Sequence, residues 1–240
     1  MQPQPTSDLK PQGFALNPDA SYCEVGGTII AMNRVSERYQ LFTGPQVRWF
    51  NEIRAAASPD PISPEALRFA AALGTYGILM PAGAGSGPIA PFSYPPATAS
   101  LFDLTAAHTP GLAPSAAIRF LQACLRARPL QGRWPVRRCV SAVRSWKQRL
   151  PSAPVFADTR LGAHVASFQT WSTLFITTHD ACLPRSLVLL AYLALRGIPA
   201  DLVFGVRLSP FMAHCWAQYG HTVLNDHLEN TAAFAPVFAV

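Results

Sequence analysis

The sequence is short of charge, of paired cysteines and of long apolar runs, and each shortage removes a class of explanation. Charged residues make up only 13% of the chain while half of it is apolar, so a packed core is expected and wholesale disorder is not. Five cysteines occur (Cys23, Cys124, Cys139, Cys182 and Cys215). An odd number with no C-x-x-C speaks against a disulfide framework or a zinc ribbon. No stretch reaches the roughly 20 apolar residues that span a bilayer. The longest, residues 187–195, is expected to be a buried helix. The first residues lack a basic segment followed by an apolar one, so no signal peptide is expected. Nor is there a G-x-x-x-x-G-K-[ST], so no nucleotide site and no bound cofactor are expected. A cytoplasmic protein with reduced thiols fits these absences.

What is present begins with size and proline. A chain of 240 residues holds one large or two small domains. Its 23 prolines are about twice the average share, which predicts many chain breaks. Residues 1–19 are rich in proline and glutamine and are expected to form an irregular tail. Three short strands are expected at 21–24, 28–33 and 38–43, with Gly26-Gly27 as a hairpin turn. Gly44-Pro45 then starts a helix over 46–57. Ser63 caps a second helix to about Tyr76, with Pro64 in its first turn. The order is β-β-β-α-α. Residues 81–113, rich in Pro, Gly, Ala and Ser, read as a linker. Helices are expected over about 114–126 and 135–150, where nine Lys or Arg lie between Arg119 and Arg149 with no Asp or Glu.

The final third carries the chemistry. Residues 182–196 read as a helix, ended by Gly197 and Pro199. Strands are expected at 201–207, 213–219 and 222–225, with Gly220-His221 as the tight turn between the last two. Cys182 thus opens a helix, His214 opens a strand and Asp226 closes one. A thiol near pKa 8.5 is mostly protonated at neutral pH, and a helix N-terminus favours the thiolate. An imidazole whose other nitrogen is held by a carboxylate supplies the base. Residues 214 and 226, on strands joined by a tight turn, are expected to come close to opposite each other. Taken singly, each residue has an ordinary explanation. A cysteine leading an apolar helix is usually a small buried hydrophobe, a lone histidine beside tryptophan a core residue, an Asp after a strand a turn former. Their order and placement together favour a Cys-His-Asp triad. Cys215 is expected to point away from His214, because strand residues alternate faces. His221 and His227 are expected to be exposed. A zinc set of His214, Cys215, His221 and His227 matches no common spacing, so no metal is expected.

These residues carry a resemblance. C-L-P-R-S-L at 182–187, L-R-G-I-P-A-D-L-V-F-G-V-R at 195–207, P-F-M-A-H-C-W at 210–216 and V-L-N-D at 223–226 resemble the leader peptidases of lasso-peptide biosynthesis. The resemblance implies a transglutaminase-like fold with Cys182, His214 and Asp226 as the triad. It also implies cleavage of a ribosomal precursor between leader and core, before a separate ATP-dependent cyclase closes the macrolactam. ATP dependence is associated with that family. The N-terminal β-β-β-α-α order over 20–80 is similar to the small winged-helix-like domain that recognises such leaders. That likeness places the leader as an added strand along Arg38, Tyr39, Gln40, Leu41 and Phe42. The expectation is therefore an α+β protein with a leader-recognition domain at 20–80 and a papain/transglutaminase-like cysteine protease domain at 114–240. Its partners would be the precursor and the cyclase, with no nucleic acid and no membrane span. Three rivals stay open: an acyltransferase on the same triad, a nucleic-acid binder using the basic 119–149 stretch, and a leader-binding adaptor with an inactive protease domain.

Overall fold

A computed structural model describes residues 13–56, 62–83, 86–105, 114–128, 135–150, 158–175 and 182–240. The chain divides into two compact units, residues 1–92 and 93–240.

In the first unit, Gly26 and Gly27 both take positive φ (54° and 75°). Only glycine adopts this pair without strain, and it folds β2 (Ala20–Val25) back onto β3 (Thr28–Asn33). Strand β4 (Arg38–Phe42) continues the antiparallel sheet in the order β2-β3-β4. Helices α1 (Pro45–Ala55) and α2 (Pro64–Thr75) follow, giving the expected β-β-β-α-α order. They cover the sheet with Phe50, Ile53 and Leu73 against Tyr22 and Phe42. Tyr22 meets Phe50 edge-on at 5.0 Å. Ser63 caps α2 as expected, its Oγ accepting from the Ala66 N–H at 3.3 Å and donating to Glu52 at 2.8 Å.

The irregular tail expected at 1–19 needs correction. Its residues 14–16 form a strand, β1 (Phe14–Leu16), paired antiparallel with β5 (Leu79–Pro81). Three residues are too few to show a period, and this strand exists because a partner more than sixty residues away supplies its hydrogen bonds. Residues 1–12 lie outside the described residues.

The second unit is built on a five-stranded sheet in the order β10-β7-β8-β9-β6. Strands β7 (Asp201–Arg207) and β8 (Met212–Tyr219) form its antiparallel centre. Strand β9 (Thr222–Val223) follows β8 after the Gly220 turn, and β10 (Ala235–Ala239) flanks β7. The segment 81–113, expected as a linker, contributes β6 (Ala99–Ser100), parallel to β9, and the short helix α3 (Leu101–Thr105). The local composition reports only the breaks there, while the sheet partner (Thr222 for Ala99) comes from more than a hundred residues downstream. Positions 84–85 and 106–113 of that segment lie outside the described residues.

Helices α4 (Pro114–Ala127), α5 (Val136–Gln148), α6 (Asp158–Phe175) and α7 (Cys182–Ala194) complete the unit, with α8 (Leu228–Ala232) between β9 and β10. Helix α7 is apolar nearly all round and packs against α4, α5, α6 and β8. Every residue from Ser186 to Leu193 is buried. Part of the basic stretch is structural: Arg126 lies over the Trp146 ring, and Lys147 pairs with Asp201, which also accepts from Tyr94 at 2.6 Å. Sequence reading misses α6, whose buried stripe of Leu161, Val165 and Phe168 is blurred by exposed Leu174 and Phe175. It misses β10 as well, where the register shifts between Pro236 and Phe238. A proline without an N–H breaks the alternation that marks a strand. Among the described residues, no helix is long and apolar enough to cross a membrane.

Candidate active site

Three elements converge on one point. Helix α7 begins with Cys182, β8 carries His214 and Cys215, and the turn after β9 carries Asp226. The expected direct pairing of His214 with Asp226 across a long hairpin is replaced by a shorter ladder. Strand β9 pairs only at Thr222 and Val223, and the Leu224 N–H still reaches the Ala217 carbonyl at 2.9 Å. There the side chain of Asn225 takes over: its Oδ1 accepts from the Ala217 N–H at 2.8 Å. A side-chain amide in place of the next backbone carbonyl ends the strand and frees the chain to turn. Asp226 then reaches back, and its Oδ2 lies 2.5 Å from His214 Nε2.

With Nε2 held by the carboxylate, Nδ1 is the nitrogen left to meet the Cys182 sulfur. Hydrogen bonds from Cys215 and from His214 bring the Cys182 thiol down to about 4, against the opposing effect of burial. The bond to Asp226, and next the one to Cys182, raise His214 to about 9. Burial pushes the Asp226 carboxyl up, but bonds from His214, Asn230 and the His227 N–H outweigh it and leave it lowered. At neutral pH the three groups therefore stand as thiolate, imidazolium and carboxylate.

Cys215 nevertheless lies beside the Cys182 sulfur. It is buried, yet its Sγ lies 3.6 Å from the Cys182 Sγ, and its backbone N–H also bonds the Cys182 sulfur. The reason is where the sulfur sits. Ala217 turns its N–H and C=O toward 224–225, away from β7, and Cys215 two residues earlier turns the same way. Strand β9 is too short to cover that stretch, so Cys182 occupies the uncovered edge of β8. From an edge, a sulfur reaches side chains on both faces of the strand.

The surrounding residues hold this arrangement. Asn225 Nδ2 donates to Ser186 Oγ at 2.9 Å, one helical turn beyond Cys182, and so ties α7 to β8. Ser100 Oγ donates to the Asp226 carbonyl at 2.7 Å. Asp103 pairs with the His227 ring at 2.5 Å and accepts from the Leu228 N–H at 3.2 Å. Replacing Asn225 by alanine strands the buried Ala217 N–H and Ser186 hydroxyl together. A loss of about 1–3 kcal/mol in unfolding free energy is expected from such unmade bonds. Urea denaturation of N225A checks it.

Comparison with known families meets the same region. Residues 105–239, more than half of the chain, match the transglutaminase-like superfamily. The chain belongs to the transglutaminase-like superfamily. Members of this superfamily are typically cysteine-based enzymes. No curated protein matches the chain, and no solved structure does.

Beside the His214–Asp226 pair of this transglutaminase-like domain lies a cleft of about 340 Å³, lined by Arg207, Met212, Glu229, Asn230 and Phe234 among others. The His214 ring packs on Trp216 and Phe234, with centroids 6.0 and 5.2 Å away. Gly205 sits opposite His214 in the β7–β8 register. A Cβ there would stand 2.7 Å from the Trp216 ring and 2.9 Å from Phe234 Cβ. Trp216 is buried and has nowhere to go. G205A is expected to cost about 1–3 kcal/mol, as overpacked cores do, and to push the surface on which His214 rests. Thermal melting, together with the rate of Cys182 alkylation, checks both effects.

The remaining expected site residues fall as follows. His221 turns its Nδ1 to the Pro96 carbonyl at 2.8 Å, and His227 turns its ring to Asp103, so neither ring takes Asp226. The four members of the imagined zinc set thus engage four different partners. In the first unit β4 is an edge strand. Arg38 and Gln40 line a small groove with Thr75, Tyr76 and Ile78. Leu41 is exposed, Tyr39 half-buried, and Phe42 points into the core between Phe50 and Phe69. Phe42 therefore has only its backbone to offer a partner strand. Asn225 and Ser186 were not assigned a role from sequence. The visible signal is Asn225 itself, since an Asn side chain can take the place of a backbone hydrogen-bonding partner and end a strand.

Proposed function

We propose that this protein is a cysteine peptidase that binds the leader of a ribosomal lasso precursor and cleaves it from the core peptide. The observation that carries the reading is the thiolate–imidazolium–carboxylate line of Cys182, His214 and Asp226. A thiol paired with an oriented imidazole in this way supports hydrolysis through a thioester. In the proposed reaction the Cys182 sulfur attacks the scissile carbonyl carbon, and the C–N bond breaks as His214 gives its proton to the leaving amine. Neutral His214 then takes a proton from water, which attacks the thioester and releases the leader as a carboxylate. Asp226 holds the imidazole in one orientation throughout. The backbone N–H of Cys182, at the first position of α7, faces the developing oxyanion. No cofactor enters these steps.

The open edge of β4 and the groove beside Arg38 and Gln40 support a leader bound there as an added strand. The freed core amine would pass to a separate cyclase. Mass spectrometry of the full chain incubated with a lasso precursor, with and without an added primary amine, tests the reading. One cut at the leader–core junction supports the peptidase. Transfer of the acyl group to the added amine in preference to water would assign the acyltransferase instead. Intact precursor under both conditions would sink the lasso assignment.

A further inference from the structure

We propose that Cys215 is a positioning residue for the reaction at Cys182: its S–H donates to the Cys182 thiolate and holds that sulfur, as an anion, at the open edge of β8. The proposal rests on the cysteine-peptidase reading of the site and adds a residue that the triad does not include.

The geometry carries it. The two sulfurs lie 3.6 Å apart, and Cys215 is buried at 4% exposure. A thiol is a weak donor, but a bond to an anion is charge-assisted, and a buried one meets little competition from water. The bond to Cys182, and burial next, hold the Cys215 proton well above the ordinary thiol range. Of the two sulfurs, Cys182 is therefore the one that carries the charge. Among the described residues, three donors then surround it: the His214 ring, the Cys215 N–H and the Cys215 S–H. The other titratable groups around the pair, among the described residues, are Asp226 behind His214, Arg185 of α7 in the field of Asp226, and Cys139 of α5 in the field of Cys215.

A thiol that merely fills space and one that donates predict different pH behaviour. Loss of the donor raises the pH at which Cys182 ionises. Starting from about 4, such a rise still leaves the sulfur largely ionised at neutral pH. Nucleophilicity grows with basicity, with a Brønsted slope of about 0.4–0.5, so the neutral rate holds or increases while the acid side falls. General damage to the fold lowers the rate at every pH.

The test is alkylation of the full-length protein by iodoacetamide, followed by mass spectrometry of the peptide bearing Cys182 from about pH 3 to 8, the range over which low-pKa thiols titrate. Wild type, C215A and C215S are compared, with thermal melting alongside. The acid midpoint is expected to rise by about one to two pH units in C215A, the shift that loss of a hydrogen bond to a charged group produces. In C215S it is expected to stay within about half a unit of wild type, because the hydroxyl donates in place of the thiol. An unmoved midpoint in C215A, or a C215S shift as large as that of C215A, overturns the proposal. Should C215A fail to fold, C215V, which fills the volume without a donor, takes its place with the same expectations. The readout uses no peptide substrate, so failure of precursor cleavage would sink the peptidase reading and leave this result to stand by itself.

Discussion

Replacing Cys182 by alanine is expected to lower precursor cleavage by about 10⁵–10⁶-fold, the scale seen when the nucleophile of a concerted triad is removed. The expectation follows from the division of labour in the site. In the proposed mechanism His214 and Asp226 act only through the sulfur, so without it their alignment has nothing to activate. The sulfur is also not needed for the fold, since Cys182 is exposed at the first position of α7 while burial begins at Ser186. C182A should accordingly melt near wild type and still bind the precursor. Mass spectrometry of the cleaved and intact precursor, beside a binding measurement, reads both. Cleavage by C182A within tenfold of wild type would end the case for this nucleophile.

Asp226→Asn is the second large effect. A carboxylate-to-amide change at the orienting position lowers turnover by about 10⁴-fold in hydrolases of triad type. The pH dependence adds a sign. The active ion pair needs the thiolate, which is lost as pH falls through about 4, and the imidazolium, which is lost as pH rises through about 9. Wild-type kcat/KM is therefore expected to be flat across neutrality, with an acid limb from Cys182 and an alkaline limb from His214. Asp226 is the largest cause of the raised His214 value, so residual activity in D226N should have its alkaline limb moved toward neutrality. An unshifted alkaline limb in D226N would show that another group supports the imidazolium.

Much of this was legible in the residues, and what was not has a physical reason in each case. The β-β-β-α-α order announced itself through local signals: a Gly-Gly hairpin, Gly44-Pro45, and Ser63 with Pro64. Helix α7 was visible because a long apolar run closed by glycine has few other readings. Strands β1 and β6 were hidden, because two or three residues carry no period and become strands only when a distant partner supplies their hydrogen bonds. Strand β10 was hidden by Pro236, and α6 by apolar residues outside its buried stripe.

The candidate site divides along the same line. Sequence alone singled out Cys182, His214 and Asp226 as the candidates, since they stand at element ends where a helix dipole and a tight turn act locally. Tertiary structure decided where the sulfur sits. Asn225 ends β9 early by spending its side chain on the Ala217 N–H, and α7, tied to Asn225 through Ser186, sets Cys182 against the edge left open. From that edge the Cys182 sulfur meets Cys215 as well as His214, although alternation places the two on opposite faces of the strand. Alternation describes one strand in isolation, and what an edge meets is settled by how far the next strand runs.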